Sequence, residues 1–260
     1  MELYLIRHGQ SRNNALADIR LRDRDPELTA LGQEQARRVG EYLAAGKHLL
    51  PSQRDGGRPA VDEAISGGQR PAAASPVGPA AGAIQRLFCS PMVRALQTAV
   101  PIGRALGLRP EVWIEVHEFG GIYLDHGDER GVVGYPGQTR AALAARFPEC
   151  GLPAGVGEDG WWRGGMEDFA AGQARAARVA DCLREWAAGS GPEAGQRLAL
   201  VSHGGFLGSL LQALGRQPCA QSLYCEHGNT GITGLSFRPD GMVLLLYANR
   251  LDHLSDELIS

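Results

Sequence analysis

The chain has 260 residues, a length that one large α/β domain or two small ones can organise around a hydrophobic core. Its 26 basic residues nearly balance 29 acidic ones, and the net charge is -3. That balance, with 43% hydrophobic residues, excludes a disordered polyelectrolyte and a basic nucleic-acid-binding protein. We expect one domain over residues 1–260 and no nucleic-acid partner.

Cysteine usage points to a reducing compartment. The five cysteines are odd in number and include no CxxC pair, which argues against a disulfide framework or a zinc finger. No apolar run approaches the roughly 18 residues of a membrane span, and the first residues lack a signal-peptide pattern. We therefore expect a cytoplasmic protein with no membrane partner. Composition gives no prediction of the oligomeric state.

Six apolar runs bounded by glycine, proline or polar residues predict the strands of a sheet that is covered on both faces. They are residues 3–7, 84–90, 111–116, 197–202, 231–238 and 242–249. The turn signal Pro239-Asp240-Gly241 separates the last two runs and predicts an antiparallel hairpin.

Helical spacing of apolar residues falls between these strands. It occurs in residues 31–43 after the N-cap Thr29, 90–106, 169–186 and 206–214. In the second of these helices Ser90 is the predicted N-cap and Pro91 the first helical residue. The alternation predicts a three-layer α/β fold with a largely parallel central sheet of about six strands and helices on both faces. Ligands of such sheets bind at the carboxyl ends of the strands.

Two segments interrupt this pattern. Residues 51–82 are dominated by glycine, proline and alanine, and predict a mobile surface insertion. Residues 120–165 contain several aromatic residues and a short helical stretch at 139–147. This second segment is either a cap over a site or a passively packed excursion, and the sequence favours neither.

Two predicted strands end in a histidine followed by a glycine, at His8-Gly9 and His203-Gly204. A single histidine at a strand end is more often structural than catalytic. Two at equivalent ends of parallel strands can converge on one point, where glycine lets the backbone turn and approach a ligand.

Arg94 gives a second indication of a ligand-binding site. It falls in the first turn of a predicted helix, where a positive charge opposes the helix dipole by about 0.3 to 1 kcal/mol. A bound phosphate would relieve that conflict, because helix amides and guanidinium groups both favour it. A solvated or carboxylate-paired Arg94 is an equally good interpretation of this residue alone. Arg7 adds a second guanidinium beside His8.

Taken in order, these segments resemble the histidine phosphatase superfamily, also called phosphoglycerate mutase-like. The similar segments are Arg7-His8-Gly9-Gln10-Ser11 with Asn14, Leu28-Thr29-Ala30-Leu31-Gly32, Ser90-Pro91-Met92-Val93-Arg94, Glu118 within Val116-His117-Glu118-Phe119, Ser202-His203-Gly204-Gly205, Asn229-Thr230-Gly231 and Asn249-Arg250-Leu251-Asp252-His253. They occur in the family's order between residues 3 and 254. The resemblance implies a phosphoglycerate mutase-like fold.

It also implies a metal-independent phosphomonoesterase that acts on a small phosphorylated substrate without a cofactor. Neutral His8 would attack phosphorus and form a phosphohistidine. Glu118 would protonate the departing alkoxide and then activate the water that hydrolyses the intermediate. Nearby arginines are expected to lower the pKa of His8, which keeps the nucleophile unprotonated.

The phosphoryl oxygens would be held by five residues in this scheme. The resemblance assigns Arg7, Arg94 and His203 to the equatorial oxygens, and it counts all three among the catalytic residues. Asn14 and Gly204 complete the predicted phosphate-binding set. No metal ligand is predicted.

Two alternatives stay open. A mutase of the 2,3-bisphosphoglycerate-dependent type would return the phosphate to a sugar acid, but the Trp-Arg-Arg-aromatic segment of that branch is absent between Glu118 and Gly165. Only seven residues follow His253 to close over a site. The other alternative is a phospholigand-binding protein without turnover, which the chemically competent residue types at every matched position argue against.

Overall fold

The computed structural model describes residues 1–54, 83–189, 191, 193–215 and 225–260. Its central sheet has six strands: β1 (Glu2–Arg7), β2 (Arg86–Cys89), β3 (Glu111–Val112), β6 (Arg197–Ser202), β7 (Ile232–Phe237) and β8 (Val243–Arg250). Their order across the sheet is β3-β2-β6-β1-β7-β8. A separate two-stranded sheet joins β4 (Tyr123–Asp125) to β5 (Val132–Gly134).

The predicted largely parallel sheet is confirmed. Strands β3, β2, β6 and β1 run parallel to one another, and β7 pairs antiparallel with β1. The hairpin predicted at residues 231–249 is also present, because β8 returns antiparallel along β7.

Helices cover both faces of the sheet. The described helices are α1 (Ala30–Ala44), the short α2 (Pro51–Arg54), α3 (Val93–Leu106), α4 (Arg140–Arg146), α5 (Phe169–Ala188) and α6 (Gly204–Leu214). Alternate residues of β1 point to opposite faces. Tyr4 and Ile6 lie in a hydrophobic core with side chains of α1 and α3, whereas Leu3 and Leu5 lie in a second core with α5 and α6. The predicted three-layer fold follows from these two cores.

Most element ends differ from the prediction by one or two residues, and two of the differences affect the site. The strand predicted at 111–116 ends at Val112, and Ile114–Val116 form a 3-10 helix. The physical reason is that the carbonyls of Glu115 and His117 accept hydrogen bonds from the Arg175 side chain rather than from a neighbouring strand.

Helix α3 begins two residues later than predicted, at Val93 instead of Pro91. Its N-cap is Met92, and the Ser90 hydroxyl bonds the His203 ring instead of capping the helix. The carboxylate of Asp25 accepts a hydrogen bond from the Val93 amide at 3.1 Å and takes over part of the capping. Arg94 nevertheless lies in the first turn, as predicted.

The structure describes only the first four residues of one interrupting segment and the whole of the other. Of residues 51–82, Pro51–Arg54 form α2 and the remainder lies outside the described residues. Residues 120–165 hold β4, β5 and α4, and Trp161 within them is buried. In the described part of the chain, no helix combines the length and apolar character that crossing a membrane requires.

Candidate active site

Two neighbouring parallel strands bring the two histidines together. Arg7 at the end of β1 is paired in register with Ser202 at the end of β6, so His8 and His203 leave the sheet side by side. Their ring centroids lie 5.0 Å apart, and both side chains are buried. The carboxyl edge of the sheet therefore places the two predicted residues in one site.

The hydrogen bonds of His8 define its tautomer. Nδ1 lies 2.7 Å from the carbonyl oxygen of Gly9, a contact that is favourable when Nδ1 carries the proton. Nε2 then has the free lone pair, and the Nε–H group of Arg94 donates to it at 3.1 Å. The ring nitrogen that faces Arg94 is thus the one with the lone pair.

Burial keeps both histidines neutral. It lowers the pKa of His8 well below the usual 6.5, and the charges of Arg94 and Arg7 lower it further. The pKa of His203 is lowered for the same leading reason, with Arg94 the largest charged contributor. The arginine effect expected for His8 is present, but loss of solvation is the larger cause.

Gly9 contributes through packing rather than through an unusual backbone angle, since neither Gly9 nor Gly204 has a positive φ. A Cβ at Gly9 would lie 2.4 Å from the carbonyl oxygen of Gly32 in α1. The glycine therefore permits the loop after β1 to lie against α1. At Gly204, the nearest atom to an added Cβ is Nε of Arg7 at 3.5 Å, so this glycine adjoins the Arg7 side chain.

His203 is held by Ser90, which the sequence pattern assigned to helix capping. The Ser90 hydroxyl lies 2.8 Å from Nε2 of His203, and both residues are fully buried. Nδ1 of His203 is buried without a hydrogen-bond partner in the described residues. This histidine consequently retains one ring nitrogen for a further contact.

Arg94 combines two roles, because it contacts His8 and also faces a carboxylate. Nη1 of Arg94 lies 3.9 Å from Oδ1 of Asp25, and both side chains are 11% exposed. Burial raises the pKa of Asp25 to about 6, although Arg94 opposes that shift. The carboxylate-paired interpretation of Arg94 is therefore partly correct, and it does not exclude a bound phosphate.

The Glu118 carboxylate lies on the amino end of α6. Oε1 accepts hydrogen bonds from the amides of Phe119 at 3.0 Å and Phe206 at 2.9 Å, and Oε2 accepts from Gly205 at 3.2 Å. These amides fix the orientation of the carboxylate at the positive end of the helix. Its charge is close enough to act on the Arg94 guanidinium.

Arg7 and Asn14 lie on the other side of His8. Arg7 donates through Nη1 to the carbonyl of His227 at 2.5 Å. Oδ1 of Asn14 accepts from the Ser11 amide at 3.0 Å, which orients its amide group. Asn229 links these parts, since its Nδ2 donates to the carbonyl of His8 at 3.0 Å.

Two cavities flank this cluster. One of about 370 Å³ includes Arg7 and Asn14 in its lining, and the other of about 480 Å³ includes Asp25 and Gln138. The second lies between the loop before α1 and the 120–165 segment. Over the described ranges, no three His, Cys, Asp or Glu side chains are grouped as metal ligands would be.

The arrangement is suited to transfer of a dianionic group. A neutral imidazole with an available Nε2 lone pair lies beside two guanidinium groups, and a fixed carboxylate stands near one of them. The sequence patterns missed Ser90 as a partner of His203, Asp25 as a partner of Arg94, and Thr98, whose hydroxyl accepts from the Gly9 amide at 3.0 Å. Asp25 is the residue whose local pattern, Asp-Pro ahead of the predicted cap Thr29, could have identified it.

Sequence comparison gives the class of the protein. The model of the histidine phosphatase superfamily (branch 1) matches residues 3–49 and 67–250. The chain belongs to the histidine phosphatase superfamily. The unmatched residues 50–66 overlap the predicted insertion at 51–82, whereas the 120–165 segment lies within the match.

Individual relatives are more distant. A Mycobacterium tuberculosis protein, PE-PGRS family protein PE_PGRS11, is 31% identical over 121 residues, and the match covers 46% of this chain and 15% of that protein's length. Phosphoserine phosphatase from Entamoeba histolytica, solved with 3-phosphoglyceric acid, is 21% identical with a TM-score of 0.56, covering 98% of this chain and 99% of the other.

Two further solved structures have the same fold. Mycobacterial glucosyl-3-phosphoglycerate phosphatase with VO3 is 21% identical with a TM-score of 0.51, covering 95% of this chain and 98% of the other. A putative alpha-ribazole-5'-P phosphatase from Escherichia coli is 18% identical with a TM-score of 0.54, covering 96% and 97% of the two chains.

Proposed function

We propose that this protein is a phosphomonoesterase that hydrolyses a small phosphorylated substrate through a phosphohistidine at His8. One observation carries the proposal above the others. Nδ1 of His8 is engaged by the Gly9 carbonyl, and Nε2 faces the Arg94 guanidinium, where a phosphoryl group would be bound. Nucleophile and anion-binding group are thus already adjacent.

In the first step, the Nε2 lone pair of His8 attacks phosphorus in line with the ester oxygen. Glu118 enters this step in its protonated form. The new N–P bond forms as the P–O bond breaks, and the Glu118 carboxyl group gives its proton to the departing oxygen. Arg7, Arg94 and His203 carry the negative charge of the three equatorial oxygens. Asn14 and the Gly204 amide add hydrogen bonds to the same group.

In the second step, water attacks the phosphohistidine from the side that the leaving group has vacated. Glu118, now a carboxylate, takes a proton from the water as the new P–O bond forms. The N–P bond breaks, its electron pair returns to Nε2, and inorganic phosphate leaves. Each turnover therefore restores neutral His8 and protonated Glu118 without a metal ion or a cofactor.

The substrate is proposed to be a small phosphorylated metabolite. The three structural relatives are phosphatases whose names specify phosphoserine, glucosyl-3-phosphoglycerate and alpha-ribazole 5'-phosphate as substrates. The flanking cavities of about 370 and 480 Å³ are of a size that suits such molecules. We propose that the 120–165 segment acts as a cap and selects the leaving group from the second cavity.

A cytoplasmic location also stays a proposal, supported by the free state of the four cysteines among the described residues.

Phosphate release from p-nitrophenyl phosphate tests the proposed function. The assay contains EDTA, spans about pH 5 to 8, and compares the native chain with His8→Ala and His48→Leu, the latter a change at a buried histidine that packs on Tyr4 outside the cluster. We expect metal-independent turnover that is lost in His8→Ala and kept in His48→Leu. Turnover equal in native and His8→Ala protein would refute the role of His8. Transfer of phosphate to a sugar acid in place of water would indicate the mutase alternative.

A further inference from the structure

A buried ion pair contacts the backbone next to the proposed acid Glu118. Arg175 of α5 donates through Nε to Oε1 of Glu167 at 2.8 Å and through Nη2 to Oε2 at 2.6 Å. The two side chains are 4% and 8% exposed. A buried pair of this kind contributes little net stability, because desolvation of both charges offsets their attraction.

The third nitrogen of the same guanidinium holds the backbone just ahead of Glu118. Nη1 of Arg175 donates to the carbonyl of Glu115 at 2.6 Å and to the carbonyl of His117 at 2.9 Å. These contacts replace the strand pairing that ends at Val112. One planar group thereby fixes the 3-10 turn from which the Glu118 side chain extends.

Helix α5 also adjoins the residue after Glu118. A Cβ at Gly172 would lie 2.0 Å from the ring of Phe119, so the ring packs directly on the helix backbone. The Arg175 guanidinium lies 4.7 Å from the ring centroid of Phe206, whose amide binds the Glu118 carboxylate. Helix α5 therefore contacts the residues on both sides of Glu118. It also contacts Phe206, at the end of α6 where the Glu118 carboxylate is bound.

We propose that Arg175, held in its orientation by Glu167, is the positioning residue for the proposed general acid Glu118. The inference rests on the proposed function, in which Glu118 protonates the leaving oxygen. Arg175 itself touches neither substrate nor reacting atoms. Without these donors, the 115–117 turn would relax, and the Glu118 carboxyl group would move out of hydrogen-bonding reach of the leaving oxygen.

The test compares two substrates in the double variant Arg175→Met, Glu167→Leu, which removes both charges and leaves neither buried alone. An alkyl phosphate requires protonation of its leaving oxygen, whereas p-nitrophenyl phosphate leaves as a stabilised phenolate. The measured quantity is kcat/KM, which includes steps only up to formation of phospho-His8. A general acid that is displaced by about 1 Å loses on the order of 100-fold in rate.

We expect kcat/KM for the alkyl phosphate to fall about 10- to 100-fold, and that for p-nitrophenyl phosphate to fall less than about threefold. An equal loss for both substrates would overturn the inference, since a purely structural role lowers the amount of active protein alike for each. Arg175→Lys retains the positive charge and one donor nitrogen but loses the planar fork, and it should recover part of the loss for the alkyl substrate. The control is Arg86→Met, Glu111→Leu, Glu193→Leu, which removes another forked ion pair, together with the second carboxylate that Arg86 binds, at the opposite end of β2 from the site.

A crystal structure of the same double variant separates this inference from the proposed function. We expect the Glu118 carboxylate to leave the amides of Gly205 and Phe206 in that structure, whatever the activity of the protein. A Glu118 carboxylate that stays on both amides would overturn the inference even if the native chain is an active phosphatase. An inactive native chain with a displaced carboxylate in the variant would refute the proposed function and leave the positioning role of Arg175 standing.

Discussion

The Nε–H group of Arg94 donates a hydrogen bond to Nε2 of His8 at 3.1 Å, in a buried contact between the first turn of α3 and the end of β1. The contact holds the imidazole plane and, by its positive charge, disfavours protonation of the ring. A phosphoryl group that enters the site would break this contact. Its oxygens would accept hydrogen bonds from the Arg94 guanidinium, and its phosphorus would be attacked by the His8 lone pair that Arg94 releases.

Thr98 connects Arg94 to Gly9, the residue after His8, and its hydroxyl is the subject of the first prediction. It donates to the Arg94 carbonyl at 2.7 Å and accepts from the Gly9 amide at 3.0 Å. Thr98→Val keeps the shape but leaves the buried Gly9 amide unpaired, so we expect a loss of about 1 to 3 kcal/mol in the free energy of unfolding. Activity should fall as the His8 loop loosens.

Urea denaturation and kcat/KM on p-nitrophenyl phosphate measure both effects. Thr98→Ser is the matched control, because it keeps the hydroxyl and should remain close to the native protein in both measurements. A Thr98→Val protein with native stability and native activity would show that this hydrogen bond does not hold the loop.

Asp25 is predicted to favour function at the expense of stability. Its pKa is raised to about 6 by burial, so the folded protein binds this proton more tightly than the unfolded chain with its ordinary value of 3.8. The ionised form therefore costs stability, and the cost grows as the pH rises from 3.8 to about 6. We expect Asp25→Asn to stabilise the fold at pH 7.5 by about 1 to 3 kcal/mol and to lower kcat/KM, since Arg94 loses its carboxylate neighbour.

Urea denaturation of native and Asp25→Asn protein between about pH 4 and pH 7.5 shows whether the substitution raises or lowers the free energy of unfolding. The stability gained by the variant should shrink as the pH falls from about 6 towards 4. A destabilised variant at pH 7.5 would mean that the attraction between Asp25 and Arg94 outweighs the cost of burying the carboxylate.

Buried histidines should make the protein sensitive to mild acid. His48 packs edge-on against the Tyr4 ring, and burial lowers its pKa from 6.5 to about 4. Between these two values the unfolded chain binds a proton that the folded protein does not, so stability falls as the pH falls. His48 contributes about 1.4 kcal/mol per pH unit to that slope.

His48→Leu removes this contribution while keeping an apolar side chain of similar size. We expect the free energy of unfolding to depend less steeply on pH between 6.5 and 4 in the variant than in the native protein, as measured by urea titrations. An unchanged slope would show that His48 is not held neutral in the fold.

Local patterns were sufficient to predict much of the fold. The strands, the hairpin at β7 and β8, and the N-cap Thr29 of α1 depend on residues close together in sequence, and all are present. The strand-end positions of His8 and His203 followed from the same patterns, because parallel strands share a carboxyl edge.

The remaining parts depend on partners that are distant in the chain. Ser90 follows a strand and precedes a proline, which is the local pattern of a cap, yet its hydroxyl bonds a histidine 113 residues away. Arg175 lies four residues before Val179, on the buried face of α5, but this spacing does not identify the groups that an arginine there would bond. Only the folded chain brings it to the 115–117 turn. Such roles are set by packing between layers, which no local pattern specifies.

Trapping the phosphorylated enzyme tests the central claim most directly. Glu118→Gln should accept the phosphoryl group from p-nitrophenyl phosphate and hydrolyse the intermediate slowly, so that alkaline quenching, peptide mass spectrometry and ³¹P NMR can locate the phosphate. We predict one phosphoryl group on Nε2 of His8, the nitrogen that faces Arg94. Phosphate on Nδ1, on another residue, or on none while the native protein turns over would contradict the account.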